Sequence, residues 1–159
     1  MSLLPLFQWA AKASLFAVMR DSKWGFAMVE MVHLLALAAL GGIVLVVDLG
    51  ILGLGLWHPP SLRRAMHELA PLLLGSLVLT VLSGLLLVSA EALKCYYHPA
   101  FRIKMVFFAA AVIFHFTIHR KSLWFPEGAR PPVGAKVAAV VSLFLWLGVG
   151  LAGRAIGFF

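Results

Sequence analysis

Residues 24–55 read WGFAMVEMVHLLALAALGGIVLVVDLGILGLG. The apolar run inside this stretch, Leu34 to Val47, is too hydrophobic for a soluble surface, yet Glu30 and His33 stand before it and Asp48 after it. On an α-helix, which turns about 100° per residue, Glu30, His33, Leu37, Gly41, Val44 and Asp48 share one stripe. The other faces are Leu, Ile, Val, Ala and Met. Ionisable groups in a membrane-length apolar helix are costly unless they face protein, water or a cofactor. The pattern predicts a transmembrane helix that acts as the spine of a bundle.

Composition extends this reading to the whole chain. Of 159 residues, 63% are hydrophobic and only 12% charged, with a mean hydropathy of +1.02. A soluble domain carries about 25% charged residues, so the chain belongs to the membrane class. A lipid-exposed backbone must satisfy its own hydrogen bonds, which favours helices. The alternation of a membrane β-barrel is absent. The net charge of +7 lies in connecting segments, where it suits topology and anionic headgroups. No motif supports nucleic-acid binding. The single cysteine, Cys95, rules out an internal disulfide, a multi-cysteine metal centre and covalent C-x-x-C-H haem attachment.

The expected fold class is an all-α membrane protein, one membrane domain over 1–159: a bundle of four transmembrane helices preceded by an N-terminal interfacial amphipathic helix. Residues 2–20 mix Leu, Phe and Trp with Gln8, Lys12 and Arg20, too interrupted to span and suited to the interface. The spans are expected at about 23–56, 61–90, 99–119 and 136–154. The first begins on side A and is stopped on side B by His58-Pro59-Pro60. Ser61 is expected to cap the second, and Pro71 leaves the His67 carbonyl without its helical partner. Ser76, Thr80 and Ser83, beside Gly75 and Gly84, mark a close helix contact. Glu91, Lys94, Tyr96 and Tyr97 form an interfacial belt on side A. Pro99 suits the first turn of the third span. On that helix His98, Arg102 and His115 share a stripe, His119 borders it and Lys104 points elsewhere. Gly148, Gly150 and Gly153 permit close packing of the fourth.

Both termini then lie on side A. Seven basic residues on that side (Lys12, Arg20, Lys23, Lys94, Arg102, Lys104, Arg154) face six on side B (Arg63, Arg64, Arg120, Lys121, Arg130, Lys136). That balance selects no orientation. A basic interfacial helix suits the anionic inner leaflet, so the termini are expected in the cytoplasm.

Taken in order, VEMVHLLALAALGG, VVDLGILGLG, HPAFRIKM and SLFLWLGVGLAGRAIGFF resemble a family of small bacterial four-span membrane proteins of unknown function. The likeness covers nearly the whole chain. Glu30-x-x-His33, Asp48-Leu49, Pro99-Ala100-Phe101-x-x-Lys104 and Gly153-Arg154 are its most specific parts. The resemblance implies the four-span fold and a bacterial inner-membrane location, with no reaction attached. An architectural likeness to four-helix b-type cytochromes and copper-resistance membrane proteins raises a redox or metal role by analogy.

Six histidines carry the functional expectation. His58, beside two prolines, reads as a headgroup contact. His98 serves either as a helix cap or as a ligand. His67 and His119 serve as interfacial side chains or ligands, and His33 and His115 as buried hydrogen-bonding groups or ligands. The leading expectation is haem b held by imidazoles in the bundle, making the protein a membrane electron-transfer or redox-accessory subunit. His67 with His115 on side B, or His33 with His98 on side A, would supply the ligands. Arg102 or Arg154 would meet the propionates. His98 and His115 are about 25 Å apart along one helix, which favours one haem over two.

Copper held by His67, His115 and His119 is the competing metal reading. The third is an anchoring subunit without a cofactor, in which Glu30 and Asp48 pair with Arg102, Lys104 or histidine to lock helices. Expected partners are the lipid bilayer, other membrane or redox subunits or a homo-oligomer, and a quinone as a candidate small molecule. No nucleophile–base pair, phosphate-binding loop or carboxylate dyad marks an autonomous enzyme.

Overall fold

The computed structural model describes residues 22–54, 59–122 and 129–156, together with Gln8 in helical conformation. The interfacial helix expected over 2–20 and His58 lie outside these, apart from Gln8. Among the described residues every regular element is helical. They are α1 (Lys23–Leu52), α2 (Pro59–Ala90), α3 (Ala92–Tyr97), α4 (Pro99–Phe114), a π-helical turn (His115–His119), α5 (Arg120–Ser122) and α6 (Val133–Ala155). Four stretches are long and apolar enough to cross a bilayer: Trp24–Leu52, Arg64–Ala90, Pro99–His119 and Val133–Ala155. This is a multi-pass membrane protein.

Local chemistry sets the ends. Ser22 caps α1 by accepting a hydrogen bond at Oγ from the Gly25 N–H, 3.1 Å away. The helix stops at Leu52, short of the expected 56, because Gly53 adopts φ 80°. In that left-handed position the Gly53 N–H bonds the Gly50 carbonyl and the Leu54 N–H bonds the Leu49 carbonyl. The double proline begins α2 instead of separating it from a Ser61 cap. Proline suits a first turn whose N–H groups have no helical acceptor. The helix runs through Pro71 to Ala90. His98, extended at φ −79° and ψ 117°, ends α3 and admits Pro99 at the start of α4.

Packing follows the apolar stripe. On α1 the buried positions are His33, Ala36, Leu40, Ile43, Val44, Val47, Asp48 and Ile51, a three-and-four spacing down one face. This face meets α2 and α6, and α6 in turn meets α4. The lateral order is therefore α2, α1, α6, α4, with no extended contact between α2 and α4. The α1 stretch is 44% buried and that of the third span only 6%, which places the spine where the sequence puts it.

Ser76, Thr80 and Ser83 are buried on α2 as the close-contact reading requires. Toward side B, Ile43, Val47 and Ile51 pack with Ala135 and Ala139 of α6, flanked by Met66, Leu69 and Leu73 of α2. Small residues bring α6 near, so dispersion between close backbones replaces the hydrophobic effect that lipid removes.

Candidate functional site

Two polar clusters interrupt this apolar interior, one toward each membrane edge. On side A, His33 projects from α1 into α2, and its Nδ1 lies 2.9 Å from Ser83 Oγ. The Ser83 hydroxyl has one proton and donates it to the Leu79 carbonyl at 2.6 Å. The hydroxyl oxygen must therefore accept from His33 Nδ1–H, which leaves the neutral ring's lone pair on Nε2. The Thr80 backbone adds a further hydrogen bond to the His33 ring. An imidazole oriented by neighbouring oxygens, with its lone pair on the other nitrogen, has the arrangement of a metal-ligating histidine.

Gly84 lets the ring lie this close. A Cβ at that position would stand 3.1 Å from His33 Cε1. Gly84→Ala is expected to push the imidazole off Ser83 by a few tenths of an ångström. The lost alignment outweighs the helix-propensity gain, for a net loss of roughly 1 kcal/mol in detergent unfolding. An unchanged His33 imidazole resonance in NMR would contradict it.

Lys104 completes this side. The sequence reading turned it away from the cofactor face and assigned Arg102 or Arg154 the propionate role. Instead Arg102 is exposed, while Lys104 is only partly exposed and lies against Gly153 of α6. Its charge reaches both His33 and Cys95. The signal was present in the spacing Ala100, Lys104, Phe107, Ala111, which is the face of α4 that packs on α6. Arg154 is exposed in the last turn of α6, and Glu30 is exposed in the first turns of α1.

His98, at the α3–α4 junction, has both ring nitrogens buried and without a hydrogen-bond partner among the described residues. It also lines a shallow open cavity of about 450 Å³ with Leu93, Lys94, Tyr97 and Pro99. Nearby, burial pushes the Cys95 thiol up, reinforced by the negative charge of Glu91 and opposed by Lys94 and Lys104. Folding thus favours the protonated thiol, and that stabilisation is lost as pH rises from the unfolded thiol's pKa toward the folded one. Maleimide labelling of the folded protein is expected to lag behind an unfolded control at neutral pH and to accelerate at pH above the ordinary thiol range. Equal rates at every pH would refute this.

On side B, Asp48 is completely buried and His119 is 3% exposed, with Oδ1 and Nε2 2.6 Å apart. His115 stacks on His119, ring centroids 5.2 Å apart and 25° between planes. The π-helical turn explains why His119, expected at the border of the stripe, is the more buried of the two. One extra residue in the turn rotates everything after it around the helix. Stacking sets the two rings face to face, which is not the convergent geometry of a chelate. His67 is exposed on α2, which packs on neither α4 nor its π turn, so His67 and His115 are not brought into contact. No group of three His, Cys, Asp or Glu side chains suited to a metal ion occurs among the described residues.

The comparison with protein families matches residues 6–159 to a family of unknown function, DUF6644. The chain belongs to the DUF6644 family. No curated protein and no solved structure matches it. For this DUF6644 member the family fixes no reaction, and the chemistry rests on the two clusters. Ser83, Gly84 and Lys104 are the side-A residues that the sequence reading did not assign to a site.

Proposed function

We propose that this DUF6644 protein is a membrane electron-transfer or redox-accessory subunit that binds haem b on side A through His33. The observation that carries the reading is the buried His33 imidazole, oriented between α1 and α2 by Ser83 at Nδ1. His98, with two unclaimed buried nitrogens, is the candidate second ligand. Lys104, rather than Arg102, supplies the cation for a propionate carboxylate. Haem bound here would contribute a one-electron redox centre. The chain's own residues orient the ligand ring (Ser83), make room for it (Gly84) and supply positive charge (Lys104). Side B supports a haem less well, since His67 is exposed and His119 is engaged by Asp48. On this reading the protein sits in a bacterial inner membrane with its termini in the cytoplasm, exchanging electrons with a quinone or a redox partner.

The test is a dithionite-reduced minus oxidised spectrum of protein purified in mild detergent. A Soret and an alpha band are expected, lost in His33→Ala and kept in His67→Ala. A wild type without these bands, or a His33→Ala variant with an unchanged spectrum, would overturn the proposal.

A second reading has its own support. In the third span only 6% of the residues of its apolar window are fully buried, and Ile103, Val106 and Ile113 leave a broad face for lipid or another chain, as an assembly subunit would. Cofactor-free protein that co-purifies with a membrane partner, and loses it when Val106 and Ile113 are replaced by Trp, would favour this assignment.

A further inference from the structure

A carboxylate sealed inside a membrane bundle has no water to fall back on, so each oxygen needs a protein donor. Asp48 has a donor for only one. Oδ1 meets His119 Nε2, while Oδ2 is buried without a hydrogen-bond partner among the described residues. His115 Nδ1 is likewise buried and without such a partner, although His115 as a whole is only partly buried. A strut between two helices needs the Asp48–His119 bond and nothing more. This cluster holds a spare acceptor and a spare imidazole nitrogen as well.

We propose that Asp48, His119 and His115 form a proton-loading site that exchanges with water on side B. With Asp48 ionised and both imidazoles neutral, the cluster carries one negative charge in a medium where an uncompensated charge is costly. A hydronium ion at the side-B surface gives up one proton and becomes water. That proton is held on Asp48 Oδ2, the oxygen without a donor, while His119 Nε2–H stays donated to Oδ1, and the cluster becomes neutral. Unloading reverses the step, with water accepting the proton. No other reactant takes part.

His115 is the port, being the least buried of the three. A second proton on His115 would stand beside the positive charge of Arg120, which follows His119 directly, so the load is one. The remaining surroundings do not compete for it. The core at this end of the bundle is apolar: Ile43, Val47 and Ile51 of α1 and Ala135 and Ala139 of α6, flanked by Met66, Leu69 and Leu73 of α2. Charged groups at this end of α2 and α6 are exposed: Arg64 pairs with Glu68, and Lys136 lies outside. The site is separate from the side-A imidazole, because His33 and Asp48 are about 22 Å apart by helix rise.

Infrared spectroscopy of the full chain in lipid vesicles tests this, with pH titration and H/D exchange. A carboxyl band that interconverts with a carboxylate band as the pH is varied is expected, absent from Asp48→Asn. That variant keeps an oxygen acceptor for His119 and so should keep the fold. His115→Phe, or His115→Leu if the first variant does not fold, is expected to keep the band and slow its exchange about tenfold. A band that does not respond to pH would make the cluster a fixed strut and overturn the proposal. Exchange as fast in the His115 variant as in the wild type would overturn it equally.

Discussion

Replacing Asp48 by Leu is expected to destabilise the protein by roughly 2–4 kcal/mol, measured by unfolding in mixed micelles. Leucine fills most of the space, so the cost comes from His119, left buried with its ring N–H facing hydrocarbon. His119→Phe alone leaves a carboxylate in that position, which protonates to limit the damage, so its cost should be smaller. The double variant Asp48→Leu/His119→Phe strands neither group and is expected to recover roughly 2 kcal/mol relative to the sum of the singles. Additive losses would show that the 2.6 Å contact contributes nothing to holding α1 against the third span. This cycle measures the strut. The pH response of Asp48 measures the spare proton capacity, and the two results are independent.

The spans were legible because hydropathy over twenty residues outweighs every local signal, and the buried face of α1 followed from where His33 and Asp48 stand. The ends were less legible. Gly53 closes α1 by a backbone conformation, and in sequence it is one glycine among several in GILGLG. The side-B cluster was legible only in part. Asp48 pairing with a histidine was among the expected helix locks, but the partner was hidden by the π turn. An i,i+4 spacing assumes 3.6 residues per turn, and one inserted residue moves His119 from the border of the stripe to its centre. The lateral order of the helices was not legible at all. Nothing in the composition of α2 and α4 says that they fail to pack on each other, and the His67–His115–His119 triad depended on their doing so. Lys104 was misplaced for a related reason. Its face was judged against His98 and Arg102 rather than against the alanines that pack on α6.

The close approach of α6 to α4 gives the second large expected effect. A Cβ on Gly148 would lie 2.4 Å from Phe107 Cδ1 and 2.9 Å from Cγ. Contacts to Cγ cannot be relieved by swinging the far edge of the ring, because Cγ sits next to the backbone. Phe107 is also held from the side by Phe144, with ring centroids 6.0 Å apart. Gly148→Ala should therefore separate α6 from α4, at a cost of about 1–3 kcal/mol for overpacking, more than the roughly 1 kcal/mol that alanine gains over glycine in a helix. Gly150 is the internal control. It is exposed on the same helix, and an added Cβ meets nothing within 4 Å. Gly150→Ala should stabilise by about 0.5–1 kcal/mol through propensity alone. Two identical substitutions, two residues apart, are thus expected to move the unfolding midpoint in opposite directions, and Phe107→Ala should rescue the first without affecting the second. If both glycines respond alike, the α6–α4 contact is looser than the position of Phe107 implies, and Lys104, which lies against Gly153 on the same interface, loses the support that holds its charge toward His33.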